Sequence, residues 1–365
     1  MNENISFGIS KYKNTGNTCY LNSVLSILQQ TPLFTDYFVS SKITKYLKLN
    51  SLSDNEKIKI LNKVYYQLAQ LFIASLSNDD CSITPTSFKN VIGGINPFFA
   101  GNNQQDSQEF FSFLISRIEE ELGKKVYYIP GRNYKYTKTD LSVKNNLLKI
   151  KALKQWELFT KNEFSPIKMM FTGLEHHKQT CEFCNNDSNR FQIFTSLQIE
   201  IPLNKSDEEC TLYKCLDYLI KPEILDSKNK MKCDLCHRKN KASKSLYIWK
   251  PPKILVIHIK RFKKDMYGNV SQKLNNKVIF PILNLNIKKY ISEDSSYKNL
   301  SKYNLFGINN HHGYNIHFGH YTSIVKNRFD NKWYLFNDSN NLRVIDDLKE
   351  LQNNNAYLLF YYRVN

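Results

Sequence analysis

Two hydrophobic periods divide the chain into a first part with a helical pattern and a second part with a strand pattern. Between Cys19 and about Leu122, apolar residues recur every three or four positions, as in ILNKVYYQLAQLFIASL, which predicts amphipathic helices. From Ser245 onward, short segments such as ILVIHI, HYTSIVK and AYLLFYY predict the strands of a large antiparallel sheet. The pattern therefore indicates an α+β fold.

The composition is that of a large folded protein. Hydrophobic residues make up 41% and aromatic residues 13% of the 365 positions, enough for a sizeable core. The eight cysteines are too sparse for a disulfide scaffold, the first residues lack the apolar core of a signal peptide, and the apolar runs are too short to cross a bilayer. We expect an intracellular protein, cytoplasmic or nuclear, with reduced thiols and no membrane span.

The formal net charge of +18 raises the question of a polyanionic partner. The lysines are scattered along the whole chain, and no basic helix or nucleic-acid motif stands out, so we expect no dedicated nucleic-acid site. One segment, Lys228–Lys244, concentrates seven lysine or arginine residues and is the candidate contact for an acidic partner.

The stretch Asn14–Asn22, which reads NTGNTCYLN, contains the candidate nucleophile. Cys19 lies where a Gly/Asn-rich turn ends and a helical pattern begins, with Thr18 as the candidate helix cap. The positive end of a helix dipole favours a thiolate, which is the attacking form in a cysteine hydrolase. On this stretch alone, a buried cysteine that only packs is the favoured interpretation.

The segment QQDSQEFFSF, residues Gln104–Phe113, predicts the start of another helix. Asp106 and Glu109 are three residues apart and can share one face of that helix. Two interpretations are open: a solvated acidic first turn favoured by the helix dipole, or a pair of carboxylates that grips a basic peptide.

Four cysteines form two CxxC pairs, which can together close a tetrahedral zinc site with four sulfur ligands: Cys181, Cys184, Cys233 and Cys236. Such a site has no open coordination position, so its metal is predicted to be structural. The alternative is two unrelated turns that each contain paired thiols. Cys210 and Cys215 lie between the two pairs in a helical pattern, and we expect them to pack in the interior.

Two further candidates lie among the predicted strands. His320 stands where one strand begins, and Asn337 and Asp338 stand where a later strand ends. A thiol nucleophile needs a base that reaches it and a third group that orients the imidazole, and these residues could supply both. A lone histidine at a strand start is equally compatible with a structural role.

In this order the motifs resemble the ubiquitin-specific protease family of cysteine deubiquitinases, from Tyr12 to Arg363. NTGNTCYLNS resembles the family's cysteine box, QQDSQEF its glutamine–aspartate box, and FTGLEHHKQTCEFC through CDLC its zinc fingers region. FGHYTSIVKN and WYLFNDS resemble the histidine and third-residue boxes. The stretch Lys124–Gln155 is atypical of the family and reads as an insertion or a mobile connection.

The resemblance implies a papain-like, hand-shaped fold with the active site between a helical thumb and an antiparallel β palm. It also implies a structural Zn²⁺ ion, ubiquitin and ubiquitinated proteins as partners, and an activating or targeting protein as a further partner. The expected division of the single catalytic domain, residues 1–365, is a thumb at about 12–164, zinc-bearing β fingers at about 178–246, and a palm at about 165–177 and 247–365.

The implied reaction is cleavage of the (iso)peptide bond after the C-terminal glycine of ubiquitin through a Cys19 thioester. His320 would act as base and acid, Asn14 would join the Cys19 N–H in the oxyanion hole, and Asn337 would orient His320. Most members carry two aspartates where this chain has Asn337 and Asp338, so we expect Asp338 to assist. Substrate contacts are expected at Gln104, Asp106, Gln108, Glu109, His312, Gly319 and Tyr321.

Three alternatives share many of these features. A protease for another ubiquitin-like modifier would carry every motif. A ubiquitin-binding scaffold with weak activity would need an activator. A zinc-dependent nucleic-acid binder would need a basic face beside the metal, for which Lys228–Lys244 is the candidate.

Overall fold

The computed structural model describes residues 8–40, 53–77, 81–125, 140–202, 210–225, 229–264, 270–315 and 318–364. The helices in these ranges are α1 Cys19–Gln29, α2 Phe34–Val39, α3 Asp54–Leu61, α4 Val64–Ser77, α5 Thr86–Ile95, α6 Ser107–Leu122, α7 Asp140–Thr160, α8 Pro166–Phe171 and α9 Leu212–Ile220. The first ten strands are β1 Lys11–Tyr12, β2 Ser82–Ile83, β3 Gly173–Cys181, β4 Asp187–Phe194, β5 Leu197–Glu200, β6 Cys210–Thr211, β7 Glu223–Leu225, β8 Met231–Lys232, β9 Lys239–Asn240 and β10 Ala242–Lys250. The remaining strands are β11 Ile254–Lys260, β12 Phe262–Lys264, β13 Val270–Lys273, β14 Val278–Ile279, β15 Leu285–Asn286, β16 Lys302–Asn315, β17 Phe318–Lys326, β18 Trp333–Phe336, β19 Arg343–Ile345 and β20 Ala356–Arg363.

Helix α1 lies at the centre of the helical layer formed by α1, α2, α4, α5, α6 and α8. All eleven of its residues are buried, as expected of a helix that packs on every side. Leu21, Val24 and Leu28 share one core with the neighbouring helices and with Val256 and Phe360 of the large sheet. The predicted helical first part of the chain is therefore packed directly on the sheet-rich second part.

The large sheet has the strand order β19-β18-β17-β16-β20-β11-β5, with β15 paired to β16. All its pairs are antiparallel except β11 with β5, so the antiparallel expectation fails at one edge. The connection between β5 and β11 contains α9, and this crossover returns the chain in the same direction. Helix α9 packs on the sheet face opposite to the helical layer.

The small sheet has the order β4-β3-β10-β7, and all its pairs are antiparallel. Strand β3 ends at Cys181, which pairs with Ala242 at the start of β10. The β8–β9 hairpin follows Cys184 in the chain and flanks Cys233 and Cys236. The two CxxC pairs therefore lie at the same end of the small sheet.

Helix α7 shows that a mobile connection is wrong for the part of Lys124–Gln155 from Asp140 onward, whereas the interpretation of this stretch as an insertion stays a prediction. Residues 126–139 lie outside the described part, but from Asp140 the chain is helical. Ala152 is buried against small-sheet residues, and Lys250 Nζ lies 3.4 Å from the ring centroid of Trp156. Many lysines in this segment concealed a helical apolar stripe, which consists of Leu148, Ala152, Trp156 and Phe159.

Cys210 and Cys215 are buried, as expected, and their Sγ atoms lie 3.4 Å apart. Only Cys215 is helical, because Cys210 belongs to the short strand β6. Among the described helices, none combines the length and the apolar character that a bilayer span requires.

Candidate active site

Cys19 is the first residue of α1, and its side chain is buried between the helical layer and the large sheet. As the first helical residue, it has a backbone N–H without an acceptor inside the helix. Thr18 occupies the N-cap position of α1, as expected, but its side chain makes no capping hydrogen bond. The Thr18 hydroxyl instead accepts a hydrogen bond from the backbone N–H of Thr15 at 3.0 Å.

The turn before Cys19 is held by asparagine side chains. Asn14 Oδ1 accepts hydrogen bonds from the backbone N–H groups of Gly16 at 3.1 Å and Thr18 at 3.0 Å. Gly16 has φ 111° and lies so close to Asn102 that an added Cβ would be 2.8 Å from its Oδ1 atom. Asn17, at φ 53°, donates from Nδ2 to the Asn102 carbonyl at 2.8 Å. This left-handed turn requires glycine and asparagine, and it fixes where the helix begins.

His320 lies near the start of β17 and contacts both the nucleophile candidate and the orienting candidate. Its Nε2 atom is 2.6 Å from Asn337 Oδ1, and because an amide oxygen only accepts, Nε2 donates. The Cys19 thiol is its other hydrogen-bond partner. The thiol contact, opposed by burial and supported by Asn337, raises the pKa of His320 to about 9. The protein thus stabilises an imidazolium beside the thiol.

Asp338 was expected to assist the histidine, and its carboxylate raises the pKa of His320 through its charge while its hydrogen bonds go to other residues. It adopts φ 48°, which is unusual for a residue with a side chain. Its Oδ1 accepts from Asn22 Nδ2 at 2.7 Å, and its Oδ2 accepts from Asn14 Nδ2 at 3.0 Å. The Asp338 carboxylate therefore joins the end of β18 to helix α1 and to the turn before it, and it acts on His320 only through its charge.

Asp106 is the buried N-cap of α6, and both of its carboxylate oxygens are bonded within the chain, whereas its expected contact with a basic peptide stays a prediction. Its Oδ1 accepts from the backbone N–H groups of Gln108 at 2.6 Å and Glu109 at 3.2 Å. Its Oδ2 accepts from the Tyr357 hydroxyl at 2.5 Å. Burial raises the pKa of Asp106, against the effect of these hydrogen bonds. Glu109 is exposed on the same helix.

The other expected substrate contacts are Gln104, Gln108, His312, Tyr321 and Gly319. Gln104 Oε1 accepts from the backbone N–H of Gly319 at 2.7 Å, which ties the helical layer to the residue before His320. Gln108 donates from Nε2 to Ser112 Oγ at 2.9 Å. His312 pairs with His320 across the β16–β17 hairpin.

Tyr321 lies in the interior, because only 3% of it is exposed and its ring packs against His311. The ring of Tyr321 is therefore not on the surface of this structure, and its expected substrate contact stays a prediction. Gly319 allows the hairpin to close, since a Cβ there would lie 2.5 Å from the His311 ring and from the His312 carbonyl oxygen.

Lys273 was not singled out in the sequence, and it anchors β12 and β13 to the hairpin that carries His320. Its Nζ atom donates to the carbonyl oxygens of His311 at 2.7 Å and Gly313 at 2.8 Å. Burial lowers the pKa of this lysine to about 8. Asn22 was also missed, although it lies within the same NTCYLN motif as the nucleophile.

The four CxxC cysteines come together as expected, and their Sγ atoms all lie within 4.8 Å of one another. The two pairs form matching turns: Asn185 and His237 each follow the second cysteine with a left-handed φ of 54° and 55°. The side chain of Asn240 donates toward Cys236 Sγ at 3.2 Å and Cys181 Sγ at 3.5 Å. This group can hold a metal ion.

A thiol at a helix N-terminus, in contact with an imidazole that an amide oxygen orients, is the type of site found in cysteine hydrolases. Residues 10–361 match the sequence profile of the family described as ubiquitin carboxyl-terminal hydrolase. The chain belongs to this family.

Similar proteins include ubiquitin carboxyl-terminal hydrolase 2 of Homo sapiens, which is 30% identical over 365 residues. That alignment covers 99% of this chain and 56% of the human protein, so the chain spans about half the length of this curated relative. A probable ubiquitin carboxyl-terminal hydrolase of Acanthamoeba polyphaga mimivirus is 29% identical, with 98% of this chain and 90% of that protein covered.

The fold is similar to a chain in the solved structure of the SAGA Ubp8/Sgf11/Sus1/Sgf73 DUB module bound to ubiquitin aldehyde. The TM-score is 0.70 at 25% sequence identity, and the match covers 100% of this chain and 71% of that chain. The α+β expectation with a papain-like hand of the ubiquitin-specific protease type is thereby confirmed.

Proposed function

We propose that this chain is a deubiquitinating thiol hydrolase that cleaves the (iso)peptide bond after the C-terminal glycine of ubiquitin. The observation that carries the proposal is the contact between the Cys19 thiol and a His320 imidazole held by Asn337. Family membership supports the reaction class, and the ubiquitin aldehyde bound to the similar DUB module supports ubiquitin as the substrate.

In the proposed mechanism, the proton of the Cys19–His320 pair resides on the imidazole, and the Cys19 sulfur attacks the carbonyl carbon of the terminal glycine. Nε2 is engaged by Asn337, so Nδ1 is the atom that faces the thiol. The imidazolium then gives its proton to the leaving lysine amine as the carbon–nitrogen bond breaks. A thioester remains on Cys19, and a water molecule deprotonated by His320 hydrolyses it.

The oxyanion would be bound by the backbone N–H of Cys19 and by the side-chain amide of Asn14. The Asn14 NH₂ group has two N–H donors, and Asp338 accepts from Nδ2 at 3.0 Å. The turn fixes the Asn14 Oδ1 atom. The hydrogen bond from one N–H of the Asn14 amide to Asp338 therefore sets the orientation of the other N–H. We therefore assign Asp338 the role of orienting Asn14, which refines its expected assistance to the histidine.

This assignment predicts a specific pattern in a double-mutant cycle. Asn14→Ala should lower kcat by roughly 100-fold to 1,000-fold, the usual effect of losing one oxyanion donor. Asp338→Ala should also lower kcat, but should add little in the Asn14→Ala background, because its target is gone. Steady-state kinetics on a ubiquitin C-terminal fluorogenic substrate measure both effects, and fully multiplicative losses would refute the role of Asp338.

We propose that the C-terminal tail of ubiquitin contacts residues at the edge of the active site, beginning with Glu109. Glu109 is exposed on α6 and supplies a carboxylate suited to the basic, arginine-containing tail that the family recognises. Gln104 and Gly319 bond where the helical layer meets the β16–β17 hairpin, and His312 lies on that hairpin. Gln108 bonds to Ser196 beside β5 instead, and all four residues are proposed as tail contacts.

We infer that the metal of the four-cysteine group is zinc. Four thiolates favour tetrahedral Zn²⁺, and a closed set of four ligands leaves no position for substrate. Cys181, Cys184, Cys233 and Cys236 would hold the ion and fix the end of the small sheet, and the Asn240 amide would support two of the sulfurs.

Elemental analysis of the purified protein should find about one zinc per chain. Cys236→Ser should lose that zinc and lower the melting temperature, because metal binding supplies folding free energy. Cys81→Ser is the matched control, since this thiol lies outside the group and should leave the metal content unchanged. Equal zinc content in both variants would exclude this site.

A ubiquitin C-terminal electrophile tests the proposed activity. The wild-type chain should form one covalent adduct, seen by intact mass, and Cys19→Ser should form none. Probes built on other ubiquitin-like modifiers, used at the same concentration, test the alternative protease specificity. Absence of any adduct on the wild type, including in the presence of a cell extract that could supply an activator, would overturn the enzyme proposal.

All eight cysteines are free thiols, which supports the proposed cytoplasmic or nuclear location. An activating or targeting partner is also proposed, because the similar solved structure is a module with additional subunits.

A further inference from the structure

Asn309 is a fully buried asparagine in the middle of β16, at the junction of three structural elements. Its Oδ1 accepts a hydrogen bond from Ser107 Oγ at 2.8 Å, and its Nδ2 donates to Ser23 Oγ at 2.8 Å. One side-chain amide therefore joins a strand of the large sheet to α1 and to α6.

Each of the two serines lies close in the chain, or is joined by hydrogen bonds, to an element that carries Cys19 or His320. Ser23 lies about one helical turn after Cys19, and its hydroxyl donates to the Tyr20 carbonyl oxygen at 3.2 Å. Ser107 is the first residue of α6, three residues after Gln104, whose side chain accepts a hydrogen bond from the backbone N–H of Gly319, the residue before His320. The Asn309 amide thus joins the helix that begins with Cys19 to the segment that contacts the start of β17 beside His320.

Buried hydrogen bonds of this kind are directional, whereas the surrounding apolar contacts are not. Leu21, Val24 and Phe360 hold α1 against the sheet but permit small shifts along the helix axis. The Asn309 amide satisfies two buried hydroxyls at once, so a shift of either helix would leave a buried polar group without its partner. Asn309 therefore fixes the position of α1 along the sheet.

We propose that Asn309 is a positioning residue that sets the distance and orientation between the Cys19 thiol and the His320 imidazole. The proposal rests on the proposed catalytic roles of Cys19 and His320. Asn309 touches neither group, and it acts by locking α1 and α6 to β16.

Asn309→Leu keeps the approximate volume and removes both hydrogen bonds. We expect kcat on a ubiquitin C-terminal fluorogenic substrate to fall roughly tenfold to 100-fold, with KM within twofold, because a small misplacement of reacting groups is costly. Asn304→Leu is the matched control, since Asn304 is on the same strand and bonds to Asn284 and Tyr362 instead. The control should keep kcat within twofold.

A triple variant separates positioning from stability. Asn309→Leu combined with Ser23→Ala and Ser107→Ala removes all three polar groups together, so neither serine hydroxyl is left without its Asn309 partner. Its melting temperature should return toward the wild-type value while kcat stays low. Recovery of kcat together with stability would show that Asn309 is merely structural and would overturn the proposal.

Alkylation of Cys19 by iodoacetamide at pH 6.5, followed by peptide mass spectrometry, provides a readout without ubiquitin. Wild-type Cys19 should react at least tenfold faster than Cys19 in Asn309→Leu, because the imidazolium contact sustains the thiolate. Equal, fast rates in both proteins would overturn the role of Asn309 alone. Slow alkylation of the wild type, with no ubiquitin adduct, would overturn the proposed function and this inference with it.

Discussion

The contact between the Cys19 thiol and the His320 imidazole is the constraint on which the rest of the structure depends. The thiol begins a helix near one end of the sequence, and the imidazole begins a strand near the other end. Neither α1 nor β17 can position the Cys19–His320 contact alone. The helical layer must therefore pack on the large sheet in one well-defined position. The continuous core that joins α1 to β11, β16 and β20 meets this requirement.

The apolar core packs the helical layer on the large sheet, and polar contacts between the two fix their relative position more closely. The Asp338 carboxylate, the Asn309 amide and the Gln104 amide each bridge the helical layer and the large sheet. Left-handed conformations at Asn17 and Asp338 are further signs that the site is held in a demanding geometry. In the proposed mechanism, this rigidity keeps the nucleophile, the base and the oxyanion donor in place before substrate arrives.

Much of this arrangement could be predicted from the sequence, because period, motif order and cysteine spacing report local structure. The α1 start at Cys19, the alternation in β16 and β17, and the assembly of four cysteines follow from such signals. The burial of individual polar side chains could not be predicted from these local signals. Asp106 looked exposed because a first helical turn is usually solvated, but Tyr357 from the distant β20 covers it. Asn309 carries no motif, and only the folded chain brings Ser23 and Ser107 to its amide.

The pH dependence of kcat/KM on a ubiquitin C-terminal fluorogenic substrate tests the central claim most directly. The pKa of His320 is raised to about 9, chiefly by its contact with the Cys19 thiol. The imidazolium therefore persists below this pH and is lost above it. The account predicts that kcat/KM falls as the pH rises through about 9, because the proton for the leaving amine disappears. A kcat/KM that keeps rising to pH 10 in the stably folded protein would contradict it.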